Sequence, residues 1–134
     1  MRSEEEKRFD LLEARATALE AFGVWSAWNV TRTGWTDVGA APTVSGRYCV
    51  VGNLVLFQIK VDPDTTTAAA AGTSYTNLPV ACGASAVAGD AVMTDMTSLV
   101  AIGVSVIDTA NSRCYVPSQL ATADTVLIAG WYER

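Results

Sequence analysis

The run SGRYCVVGNLVLFQIKV, residues 45 to 61, leaves this chain little choice of fold. Gly52 and Asn53 stand between two apolar runs, and the second run alternates strictly. Val55, Phe57, Ile59 and Val61 fall on one face of an extended strand, while Leu54, Leu56, Gln58 and Lys60 fall on the other, which turns polar toward its end. A period of two residues excludes a helix. Gly-Asn tolerates the positive φ that a tight hairpin turn needs, and the turn pins a register in which Phe57 faces inward.

The same alternation returns in LVAIGVSVI, with Val100, Ile102, Val104 and Val106 as the apolar row and Ala101, Gly103 and Ser105 as the small, polar one. After the turn-rich DTANS, RCYVP reads as a short partner strand closed by Pro117, and TVLIAGWY reads as a last strand. GVWSAWNV, the stretch around ASAVAG, and GDAVM are weaker strand candidates. Six to nine short strands punctuated by Gly, Pro, Asn and Asp, with no second helix, describe an antiparallel sandwich or barrel.

The first 22 residues follow a different period. Ser3 and Glu6 have capping-box spacing, and Glu4, Glu5 and Glu6 put negative charge where a helix dipole favours it. Phe9, Leu12, Ala16 and Leu19 then recur at intervals of three and four, the seam of a coiled coil, with charged residues on most other faces. Gly23 is placed to stop the helix. The reading is therefore a helix in residues 1–22 and a β head domain in residues 23–134. So narrow and short a seam is marginal alone and needs a partner, either other copies of the chain or its own β domain. The composition favours other copies: 50% of the residues are hydrophobic and only 17% charged, greasy for a small monomer.

Several chemistries are excluded or weakened. A net charge of −5 with nine Lys and Arg spread thinly argues against a nucleic-acid partner. No apolar leader follows MRSEEEKR and no window is apolar enough to insert in a bilayer, so the chain reads as made in the cytoplasm without membrane insertion. Cys49, Cys82 and Cys114 lie far apart in strand-like surroundings and read as small core hydrophobes, not a zinc site. Asp62, Asp64 and Thr66 offer too few oxygens for calcium, so DPDTTTAAAAGTSY reads as a plain surface loop with no metal. With no His, the commonest general base is absent. The eight acidic residues after the helix sit mostly in turn contexts, and no cofactor fingerprint appears. The chain is not read as an enzyme, and no catalytic or cofactor-binding residue is assigned. Trp25, Trp28, Trp35 and Trp131, with Tyr48, Tyr75, Tyr115 and Tyr132, fit a core or subunit interface better than a ligand platform.

The run GWTDVGAAPTVSGRYCVVGNLVLFQIKVD, followed by SYTNLPV, an IGVSV strand and AGWYE, resembles C-terminal domains of phage fibre and tail proteins. The matching pieces are Trp35-Thr36, Pro42 to Tyr48, Val51 to Val61, Tyr75 to Pro79 and Gly130 to Tyr132, and the resemblance spans roughly residues 33 to 134. It implies a mainly β protein, a short N-terminal coiled-coil helix followed by an antiparallel jelly-roll-like β-sandwich. Such domains assemble as trimers, which would make Phe9, Leu12, Ala16 and Leu19 the trimer seam. The implied function is a bacteriophage virion fibre or spike that presents its head for attachment to a host-surface glycan or protein, with no cofactor. Its N-terminal helix would contact other virion structural proteins. The alternative is a capsid decoration or head-fibre protein that stiffens or shields the shell, and a soluble trimeric module is a third class. If the C-terminus returns to the helical base, as in related trimeric sandwiches, TDMTS and SQLATAD form the distal surface. Asp95, Met96, Gln119 and Asp124 are then the candidate receptor contacts.

Overall fold

The computed structural model describes residues 3–20, 24–39, 41–63, 67–70, 72–83 and 88–134, without the side chains of 16–20, 67–69 and 119–122. It is mainly β, with one N-terminal helix among the described residues. The helix α1 spans Glu4–Glu20. The Glu6 N–H donates to the Ser3 hydroxyl over 3.2 Å, which is the N-cap that the spacing predicts.

The strands in chain order are β1 (Ser26–Trp28), β2 (Arg32–Thr33), β3 (Thr36–Val38), β4 (Thr43–Val51), β5 (Leu54–Asp62) and β6 (Thr67–Ala70). They continue as β7 (Tyr75–Asn77), β8 (Gly89–Asp95), β9 (Val100–Asp108), β10 (Arg113–Tyr115), β11 (Gln119–Thr122) and β12 (Val126–Glu133). A nine-stranded antiparallel sheet forms a half-barrel in the order β1-β4-β5-β12-β8-β9-β10-β7-β2, and β11-β6-β3 make a second, three-stranded sheet.

The β4–β5 hairpin organises the large sheet. Val51 pairs with Leu54 across a two-residue turn in which Gly52 alone takes the positive φ, +59°, matching a type II′ turn. The register that follows buries Val55, Phe57, Ile59 and Val61 almost completely, as the alternation predicts. Strand β12 adds Val126, Ile128 and Tyr132 to the same core, and β8 adds Ala91 and Met93. Gly130 sits between Phe57 and Ala91 in the register, and a methyl there would run into the Asp90 carbonyl oxygen and Ala91. Of the three cysteines, Cys114 lies in the core and Cys82 packs half-buried against it, whereas Cys49 is buried on the other side of the sheet, in the row of Arg47 and opposite Leu56.

Three features depart from the sequence reading. The low-complexity stretch after Asp62 is not all loop, because Thr67–Ala70 forms β6 and buries Ala70 in the core. SQLATAD likewise contains β11, which pairs with β6. In β9 the valine row is not core: Val104 and Val106 are 65% and 63% exposed, whereas Ser105 is buried. The reason is space. Gly103 and Ser105 face inward opposite Met93 and Ala91, and an added Cβ at Gly103 would already press on Pro117 at 3.1 Å. A bulge between Met93 and Thr94 shifts the register at Ile102, which leaves that side chain half-buried against the core.

Helix α1 does not fold back onto the β domain over its described side chains. Every side chain from residue 3 to 15 is exposed, including Phe9, Leu11 and Leu12. The other two seam residues, Ala16 and Leu19, have side chains outside the described set. Asp64 and Thr66 of the weighed calcium site, and most of ASAVAG, also lie outside the described residues.

Candidate ligand-binding cleft

The outward face of the large sheet carries the chemistry. Cross-strand pairing sets Ser45, Lys60 and Leu127 in one row, and Arg47, Gln58 and Ala129 in the next. Because these residues alternate with the buried set, all of them point away from the core. Two depressions open on this face. The first, about 370 Å³, is lined by Ser45, Arg47, Gln58, Lys60 and Leu127. The second, about 440 Å³, is lined by Lys60, Met96, Thr97, Thr125 and Leu127. Lys60 and Leu127 belong to both, so the two form one cleft that runs from mid-sheet to the β8–β9 turn.

Arg47 is held in place. Its guanidinium lies 4.8 Å from the Trp25 ring centroid, and its Nε donates to the Gln58 side-chain oxygen over 2.8 Å. Stacking and a hydrogen bond through Nε together fix the fork, and neither uses the two terminal amino groups as donors. Lys60 has no hydrogen-bond or ion-pair partner among the described residues. The two cations are diagonal neighbours on adjacent strands, so their Cβ atoms lie roughly 7–8 Å apart.

Most other cations after the helix are occupied. Arg32 makes a bidentate pair with Asp37 at 2.9 and 2.8 Å, and this pairing holds the Asp37 carboxyl below its usual value. Arg113 lies 4.3 Å from the Tyr75 ring centroid, near enough to Asp108 to feel its charge. Arg134 donates from Nε to the Gly52 carbonyl. Arg47 and Lys60 therefore remain without a carboxylate among the described residues, on a chain with net charge −5.

The far wall of the cleft is a laced pair of turns. Asp95 accepts hydrogen bonds from the Thr97 and Ser98 N–H groups at 2.9 and 3.0 Å. The Ser98 N–H is the main reason its carboxyl sits below the usual range. The Met96 N–H donates to the Thr125 carbonyl over 2.8 Å, and the Thr125 N–H donates to the Thr97 hydroxyl over 3.2 Å. Leu99, the last residue of this turn, is 76% exposed and holds φ at +59°.

Of the candidate receptor contacts, Asp95, Met96 and Asp124 thus come together at one end of the sheet. Met96 lines the cleft, while the carboxylate of Asp95 serves the turn itself. Gln119 lies in β11 opposite Ala70, with its side chain outside the described set. Sequence reasoning missed Arg47, Gln58, Lys60 and Leu127. The signal was present: the polar end of the β5 row, set beside Ser45 and Arg47 by the hairpin register, marks this corner.

The opposite end of the sheet holds the Gly52–Asn53 turn, Arg134 and the β9–β10 turn. There the Arg134 N–H donates to the Asn53 carbonyl. Ser26 opposes Tyr48 and Trp28 opposes Gly46, so the chain enters β1 from this end, away from the cleft.

Among the described residues no group of three His, Cys, Asp or Glu side chains could hold a metal, and no helix is long and apolar enough to cross a membrane. Comparison with protein-family models, with curated proteins and with solved structures finds no match to this chain.

Proposed function

We propose that this protein is a homotrimeric attachment protein of the virion fibre or spike kind, with three helices gathered into a short stalk and three jelly-roll-like β heads displayed for binding to a host surface. The observation that carries the reading is the helix. Phe9 and Leu12 are 68% and 59% exposed on a seven-residue pattern that finds no cover on the chain's own β domain. An uncovered seam of this kind is stabilised only by association. The apolar outward row of Val92, Val104 and Val106 offers a second contact between copies. Val104 and Val106 lie three strands from Lys60, about 14 Å, and Val92 lies two, about 10 Å, so this contact and the cleft occupy different strands of the face.

Light scattering on the intact chain, beside Phe9→Glu/Leu12→Glu and Val104→Glu/Val106→Glu, tests this. The expected result is a trimer that either double substitution weakens. A monomeric intact chain would overturn the fibre reading. It would point instead to a capsid decoration protein whose valine face is covered by shell subunits, checked by binding to empty capsids.

A further inference from the structure

We propose that the cleft between Arg47, Lys60 and the Met96–Thr97 turn binds an anionic saccharide, a hydroxyl-rich chain that carries carboxylate or phosphate groups. The anion follows from the cations. Two like charges on diagonal positions of one face repel each other, and the nearest carboxylates, Asp95 and Asp124 in the far wall and Asp62 two residues along from Lys60, are each engaged with partners of their own. An oxyanion between them relieves the repulsion, with a planar fork on one side and a flexible ammonium on the other. Arg47 is oriented before any ligand arrives by Trp25 and Gln58, so less is lost in ordering it.

The saccharide follows from the rest of the lining. Ser45, Gln58, Thr97 and Thr125 spread hydrogen-bonding groups along the cleft, and Leu127 and Met96 supply apolar surface between them. A sugar ring offers hydroxyls at its edge and C–H groups on its face to match. A nucleic acid fits poorly. Two cations on an acidic chain make too small a basic track, and Arg47 occupies one face of the nearby Trp25 ring, where a base would stack.

The biological role of this cleft rests on the attachment reading, but its chemistry does not, and the two fail separately. Full-length protein is titrated by calorimetry with oligogalacturonate as the carboxylate source, with poly(glycerol phosphate) as the phosphate source, and with neutral dextran. One or both anionic probes bind, more weakly as salt is raised, and dextran does not. Lys60→Glu lowers the affinity roughly tenfold or more, and Arg47→Gln does likewise. Lys7→Glu, which makes the same change in net charge on the helix and outside the cleft lining, leaves affinity within about twofold. Lys60 is exposed and free of partners, so its variant keeps the fold, which near-ultraviolet circular dichroism verifies. Preference for one anionic probe identifies the source of the anion. Dextran bound as well as the anionic probes, neither anionic probe bound, or full affinity in Lys60→Glu would each overturn the proposal, while a trimeric mass would leave the fibre reading standing.

Discussion

Replacing Tyr132 by Phe removes one oxygen from the best-buried ring of the core and isolates what that oxygen does. The Tyr132 hydroxyl donates to the Val80 carbonyl over 2.7 Å and accepts from the Val80 N–H over 3.0 Å. Its ring stays packed on Phe57, 5.8 Å between centroids, whichever residue is present. Phe leaves both backbone groups of Val80 without a partner. A fully buried orphan costs about 1–3 kcal/mol. Val80 is half-buried and water reaches part of it, so the two together cost about 2 kcal/mol rather than the roughly 4 of a dry site. With a urea slope of about 2 kcal/mol per molar, the unfolding midpoint falls by about 1 M at fixed protein concentration.

The pH dependence separates this cause from loose packing. Burial pushes the Tyr132 phenol up to about 12 from its usual 10.0, against a smaller downward pull from the hydrogen bond to Val80. The folded value lies above the unfolded one, so this stability is fully present below pH 10 and is lost as pH rises toward 12. The shift sets a ceiling of roughly 2.7 kcal/mol, and solvent screening reduces it to about 1–2. The Phe variant has no such limb, so its deficit relative to the parent narrows between pH 10 and 12. Burial also raises the Cys114 thiol to about 12, but that loss is common to both proteins and cancels in the difference. A deficit below about 0.5 kcal/mol at pH 8 would mean that water replaces the hydroxyl. A deficit that stays constant up to pH 12 would refute the assignment of the alkaline limb.

Gly130→Ala drives a methyl into the Asp90 carbonyl and Ala91 at the middle of the β8–β12 ladder, and should cost about 3 kcal/mol or more, read as a large drop in urea midpoint or as loss of soluble protein. Leu99→Gly relieves a left-handed backbone at an exposed residue and should raise stability by up to about 1 kcal/mol in a thermal melt, because the strain removed slightly exceeds the added chain entropy. Asp37→Asn breaks the fork to Arg32. Since the Asp37 carboxyl is lowered when folded, its contribution is present above the usual 3.8 and fades as pH falls through the folded value, so the variant should lose no more than about 1 kcal/mol near neutrality and less at low pH.

Local patterns carried the fold further than they carried the site. The β4–β5 register, the inward set of β5, the N-cap at Ser3 and the last strand were all legible, because alternation and turn chemistry act over a few neighbouring residues. GDAVM looked weak because its neighbours are small and acidic, yet β8 lies near the centre of the large sheet, between β12 and β9. What makes it a strand is pairing with residues far along the chain, and propensity does not contain that. β6 shows the same limit: alanines and threonines read as a loop until β3 and β11 supply hydrogen-bond partners on both sides. The candidate site was half legible. Met96 could be placed from strand direction, but Arg47 and Lys60 become a pair only through the hairpin register, and the isolation of their charges appears only once Arg32, Arg113 and Arg134 are seen engaged elsewhere.

Strand β9 links the fold to the proposed function. A core contact that demanded only hydrophobicity would take Val104 and Val106 and leave Ser105 in water. The close approach of Pro117 at Gly103, and the shallow space opposite Ala91, reverse that choice and turn the valines outward. Two side chains exposed by 65% and 63%, flanked by Val92 at 41%, make a patch that water disfavours. In the proposed assembly, packing copies together over β8 and β9 would remove this patch from water. A single cleft with two cations binds an anion weakly. Three clefts on the proposed trimer would multiply that affinity on a repeating surface polymer with no new contact, provided the spacing of the anions lets them bind together. On the proposed reading, association through the valines of β8 and β9 and ligand capture by Arg47 and Lys60 would use separate parts of the same sheet face.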